Sequence, residues 1–196
     1  MFSKILARAI DLDKEKRGYW SEFSAYRRLL FDYVILWLLK PLESEGRSLS
    51  RNIIHGDIWD ENCADDMNTG EPFVFDASLL YAHNEYEIGY WRLPRHRLSN
   101  RTYVREYKKH LPVSEPEEDW DDRDFLYLMR FSIFCSVLIT SSGYDIISVF
   151  GDMKTLCKKF CPKEIKKVEA QFYTRGVRLL TDGANVEEEE EESDEN

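Results

Sequence analysis

Apolar positions in the first quarter of the chain recur at helical spacing. Phe23, Tyr26, Leu30, Val34 and Trp37 predict a long helix from Trp20 to about Leu39, with Ser21 as its N-cap. Apolar residues fall on more than one face of that helix, which places it centrally. Pro41 and Gly46 mark its end. The preceding residues 1–19 lack a strand pattern and are expected to be irregular. Asn52-Ile53-Ile54 is a short apolar step into His55-Gly56-Asp57. Residues Asn62 to Ala64 and Phe73 to Phe75 are strand candidates, and the turn formers from Asp65 to Glu71 between them predict a hairpin. From Ser99 onward the spacing turns helical, over Asn100–His110, Glu117–Thr140, Asp145–Phe160 and Lys163–Leu180, with breaks at Leu111–Pro116 and at Pro162. The expected fold class is α+β, mostly helical.

With 43% hydrophobic and 14% aromatic residues in 196, the chain can build a core. The longest strictly apolar run, Tyr33 to Leu39, is too short to span a bilayer, and residues 1–10 show no signal-peptide pattern. The formal charge of −10 is concentrated at the C-terminal end, where Glu187 to Glu195 hold eight acids and no base. The remainder, 29 acids against 27 Lys and Arg, lacks the basic excess that nucleic acid demands. Residues 183–196 are expected to be a disordered acidic tail. Four cysteines, Cys63, Cys135, Cys157 and Cys161, do not form a disulfide framework and point to free thiols in a reducing compartment. A metal site at Cys157 and Cys161 is the alternative.

The chemistry is concentrated between His55 and Asp76. Phosphoryl transfer needs an oriented hydroxyl, a carboxylate to take its proton, and hard oxygen ligands for the Mg²⁺ that offsets the charge of ATP. Asp57 supplies the first carboxylate, Asn62 an amide oxygen, and Asp76 a carboxylate carried back by the hairpin. Gly56 lets the loop pass tightly and His55 is expected to hold it by hydrogen bonds. Taken singly, Asp57 and Asn62 also suit turns, and Asp76 a strand end.

His55-Gly56-Asp57 with Asn62 resembles the catalytic loop of the aminoglycoside phosphotransferase and protein-kinase-like superfamily. The runs Ile54–Asn62, Glu71–Ser78 and Tyr81–Glu87 resemble the fructosamine/ketosamine-3-kinase family, fungal protein-ribulosamine 3-kinases above all. The likeness extends from Leu39-Lys40-Pro41-Leu42-Glu43 to about Cys161. It implies a kinase-like large lobe over residues 20–182 and ATP-dependent phosphorylation of the sugar O3 of ribulosamine or fructosamine on glycated proteins or small ketosamines, which favours deglycation. It also implies Asp57 as catalytic base and Asn62 and Asp76 as magnesium ligands. Trp59 matches a position beside the substrate pocket, where a core role is equally open. His83 and Glu85 match a His-x-Glu segment expected to support the site from behind.

Only 54 residues precede His55, too few for the small β-rich lobe that roofs ATP in such kinases. Lys4, Lys14 and Lys16 follow no strand pattern and are not expected to bind phosphate. The chain is therefore expected to be the large lobe alone, with weak activity and an apolar exposed cleft face. A second class is a catalytically silent kinase-like binding module, and a third a kinase for aminoglycosides, choline or similar small molecules. A cytoplasmic placement without nucleic acid or membrane partners completes the reading, with oligomeric state open.

Overall fold

The computed structural model describes residues 1–49, 51–139 and 146–173. Three helices come before any strand: α1 (Phe2–Arg17), α2 (Ser21–Leu29) and α3 (Ile35–Leu39). A π-helical turn, Leu30–Val34, joins α2 to α3, so the predicted long helix is one continuous rod with a wide turn in its middle. Its N-cap is Trp20 in an extended conformation, and Ser21 is the first helical residue rather than the cap.

β1 (Arg51–Ile54), β2 (Cys63–Asp65), β3 (Pro72–Val74) and β4 (Leu80–His83) form two antiparallel pairs among the described residues. β2 and β3 are the predicted hairpin, with Cys63 opposite Val74. β1 pairs with β4, Arg51 opposite His83 and Ile54 opposite Leu80. That pairing was not foreseen: Leu80–His83 is too short to show a period of its own and is a strand because β1 presents an edge. Then come α4 (Glu85–Ile88), α5 (Arg101–His110), α6 (Trp120–Leu138), α7 (Ile146–Phe160) and α8 (Pro162–Tyr173). The Asn100 side chain caps α5 by accepting from the Thr102 N–H at 2.9 Å. The architecture is α+β and mostly helical. Among the described residues no helix is long and apolar enough to cross a membrane.

The expectation for residues 1–19 needs correction, because residues 2–17 form α1. Phe2, Leu6, Ala9, Ile10 and Asp13 are buried, a stripe at helical spacing too narrow to stand out in a segment rich in Lys and Arg. α1 packs against α6 and closes that helix's C-terminal end. The Lys16 ammonium donates to Val137 C=O at 2.5 Å, and Arg17 Nη2 to Ser136 C=O at 2.6 Å. The last carbonyls of a helix have no partner within it, and α1 supplies cations to them. α6 is the hub of the core, with Leu126, Met129, Ile133 and Val137 buried against α1, α3 and α7. Each such side chain contributes about 1.5–3 kcal/mol by leaving water.

The predicted helices at 100–110, 117–140, 145–160 and 163–180 correspond to α5 through α8, with a 3₁₀ turn at Glu117–Asp119 in place of the first turn of α6. The helix ends expected at Thr140, Asp145 and Leu180, the lobe limit at 182 and the acidic tail lie outside the described residues.

Candidate active site

β1 delivers the chain into His55-Gly56-Asp57. Gly56 has φ +81°, and a Cβ there would lie 2.4 Å from the Ser78 carbonyl oxygen, so only glycine fits. The N–H groups of His55 and Gly56 both donate to one buried carboxylate, Glu87, at 2.6 and 2.9 Å. Burial pushes the Glu87 carboxyl above its usual range, while those N–H bonds oppose the shift. His55 braces the other side. Its Nε2 lies 2.8 Å from Phe75 C=O, and the Asp57 N–H makes a longer contact of 3.4 Å with its Nδ1. A neutral ring with its proton on Nε2 satisfies both contacts.

Asn62 ends a 3₁₀ turn, Asp60–Asn62, that folds it back on Asp57. Its Nδ2 donates to the Asp57 carbonyl at 2.8 Å and lies 3.4 Å from Asp57 Oδ2. The Phe75 N–H donates to Asn62 C=O at 3.1 Å, which extends the β2–β3 hairpin by one step and sets Asp76 just beyond it. Asp76 turns the chain with φ +57°, a left-handed conformation that Asp tolerates better than most residues. Asp57 and Asn62 therefore meet directly, and Asp76 is brought alongside by the backbone, with its side chain exposed.

Two carboxylates and an amide oxygen are hard donors of the kind Mg²⁺ prefers. With Asn62 Nδ2 committed to Asp57, Oδ1 is the atom left to a cation. Among the described residues no group of three His, Cys, Asp or Glu side chains is assembled as a metal cluster.

Trp59 is half-buried, packed beside the small cluster of Tyr90, Leu128 and Phe131, with its ring edge-on to His96 at 5.8 Å. His83 and Glu85 face away from the loop. His83 Nδ1 lies 2.8 Å from the Tyr127 hydroxyl and Nε2 2.9 Å from Ser114 Oγ. Burial lowers its pKa to about 4. Glu85 accepts from Arg123 and from the Ser114 N–H at 2.8 Å. Residues that sequence reasoning passed over hold the loop itself. Glu87 grips its start, Trp91 Nε1 donates to Ile58 C=O at 3.0 Å, and Asp60 accepts the N–H groups of Arg97 and Leu98 at 2.7 and 3.2 Å. Glu87 closes the Tyr81–Glu87 run that carries the family resemblance, which marks the position without giving it a role.

The model of the family described as "Fructosamine kinase" matches residues 18–144, well over half of the chain. The chain belongs to the fructosamine kinase family. Among curated proteins it is similar to "Protein-ribulosamine 3-kinase, chloroplastic" of Oryza sativa subsp. japonica, 42% identical over 45 residues, and to the protein of the same name from subsp. indica, 40% identical over 45 residues. Each match covers 23% of this chain and 13% of the relative. The fructosamine kinase assignment covers β1 through α6, and with them the whole loop from His55 to Asp76. The helical body around that loop is a kinase-like lobe.

Exposed apolar residues lie on the strands that flank the loop. Ile53 and its cross-strand partner Tyr81 are 76% and 63% exposed, and Phe73, Val74 and Phe75 line the strand leading to Asp76.

Proposed function

We propose that the chain is an ATP-dependent phosphotransferase of the ketosamine kinase type, acting on the sugar O3 of ribulosamine or fructosamine attached to protein. The observation that carries the reading is the joining of Asp57 to Asn62, 3.4 Å apart, and of Asn62 to the Asp76 turn through the Phe75 N–H. In this reading the Asp57 carboxylate orients the sugar hydroxyl and takes its proton as that oxygen bonds to the terminal phosphorus and the bond from phosphorus to ADP breaks. A positioned base of this kind is worth about 10²–10⁴ in rate. Asn62 Oδ1 and the Asp76 carboxylate would hold Mg²⁺, which offsets charge on the phosphates. Asp57 is half-buried and shares its backbone carbonyl and carboxylate with one amide, which fixes its direction.

Glycated proteins or small ketosamines are the proposed partners. The four free cysteines suit a reducing compartment, for which we propose the cytoplasm.

Thermal denaturation with Mg²⁺ and ATP tests the site. The parent chain is expected to melt higher with both ligands, and Asp76→Ala to lose that shift. No shift in the parent, or an equal shift in Asp76→Ala, overturns the reading. Radiolabelled ATP with a ribulosamine-modified peptide against the unmodified peptide then tests the substrate class.

A further inference from the structure

We propose that the exposed lysine face of α8 is the docking surface for the chain's own acidic run, Glu187–Glu195. Lys163, Lys166 and Lys167 stand at i, i+3 and i+4 of α8, within an arc of about 100°. All three are exposed, and so is Lys158 in the last turn of α7, just before. The other side of α8 fixes its orientation. Ile165 is buried in the core, and Glu169 accepts from the Tyr26 hydroxyl at 3.2 Å. Nearby cations are already paired: Lys154 with Glu22 at 2.9 Å, and Lys159 with Asp122. Lys158, Lys163, Lys166 and Lys167 have no ion-pair or hydrogen-bond partner among the described residues. Glu164, the acid between them in sequence, is half-buried and pairs with none of them.

The acidic run has the opposite surplus, eight acids and no base between Glu187 and Glu195. Thirteen residues, 174–186, separate it from the end of α8 at Tyr173. Lys163 lies ten residues back from Tyr173, about 15 Å along a helix axis. Thirteen residues reach about 45 Å at full extension, and a coil of that length averages about 20 Å. The span therefore suits a return over the face of α8, where tethering sets a local concentration on the order of millimolar. One exposed pair is weak and screened by salt. Several acids facing several lysines at that concentration add up, and any acid can serve any lysine. An anionic membrane or nucleic acid would have to displace tethered acids from the same lysines, against a formal charge of −10 on the chain. The acidic run is the favoured occupant for that reason. Neither the surface nor its test depends on the reaction proposed above.

Zero-length carbodiimide coupling of the full chain, mapped by peptide mass spectrometry, tests the docking. In dilute protein at low ionic strength, amide links from Glu187–Glu192 to Lys158, Lys163, Lys166 or Lys167 are expected within one molecule. They should exceed links to Lys4 and Lys40, which are also exposed, by at least about fivefold, and fall by at least about fivefold in 0.5 M NaCl. Links spread evenly over Lys4, Lys40 and α8, or found only between molecules, overturn the proposal. Acetylation of lysine amines gives a second reading. Removing residues 187–196 should speed acetylation of Lys163, Lys166 and Lys167 at least twofold and leave Lys4 and Lys40 unchanged. Equal rates with and without the run overturn the proposal. If the shortened chain does not fold, the full chain carrying Glu187→Gln through Glu192→Gln decides by the same comparison. Vesicles containing phosphatidylserine probe the competing occupant. Binding of the full chain as tight as that of the shortened chain at low salt would show the face open, and would overturn the proposal.

Discussion

Glu85 and Arg123 form a two-point ion pair, Nε to Oε2 at 2.7 Å and Nη2 to Oε1 at 3.0 Å, with side chains 2% and 0% exposed. The guanidinium also donates to the carbonyls of Ser114 and Pro116 at 2.6 and 2.7 Å, so the pair clamps α4, α6 and the 111–116 connection. Breaking such a pair from one side leaves a buried charge alone. Arg123→Ala is expected to destabilise the fold by about 3–5 kcal/mol, read by urea denaturation. A loss under about 1 kcal/mol would contradict this role.

His83 gives a pH signature. Its imidazole titrates near 6.5 when unfolded and at about 4 in the fold, because burial disfavours the cation. Between those values the unfolded chain takes up a proton that the folded chain refuses. Its contribution is therefore intact above pH 6.5 and is lost as pH falls toward 4, by roughly 3 kcal/mol in all. Burial lowers His96 in the same direction, so some slope persists without His83. His83→Gln should flatten, without abolishing, the fall in unfolding free energy between pH 6.5 and 4; an unchanged slope would sink the assignment.

Two glycines with similar backbone angles should behave differently. Gly56 has φ +81° and its missing Cβ would meet Ser78 O at 2.4 Å, whereas Gly70 has φ +73° and nothing within 4 Å. Gly70→Ala should cost about 1 kcal/mol from backbone strain alone. Gly56→Ala should cost at least about 2 kcal/mol more, and should remove the Mg·ATP melting shift. Chemical denaturation of both variants compares them directly.

Asp57→Asn keeps the shape of the side chain and removes its capacity to take a proton. Whatever phosphate transfer the chain performs on a ribulosamine peptide should fall by about 10²–10⁴. Its melting temperature should move by less than that of Gly56→Ala. Transfer at the parent rate would exclude Asp57 as the base.

The hairpin was legible because Asp65 to Glu71 is dense in turn formers, and α5 to α8 because their apolar residues keep a helical period. α1 was not legible: a narrow stripe on a charged helix becomes visible only when α6 is there to cover it. β4 likewise depends on β1, since four residues carry no period. At the site, the chemistry restricts which atoms can serve and so singles out Asp57, Asn62 and Asp76, of which the fold joins Asp57 to Asn62 directly. Glu87 and Arg123 were not legible, because their partners are main-chain groups or distant acids, and neither contact leaves a spacing in the sequence. The sequence admits pocket or core for Trp59, which sits half-buried beside Tyr90 and edge-on to His96.

The family match begins at residue 18, while the helix ending at Arg17 lies outside it. A fragment cut at the homology border would bare Val137, Ile133 and their neighbours to solvent and strip the cations from the far end of the longest helix. The smallest piece worth expressing is therefore defined by packing rather than by kinship, and it starts with Phe2.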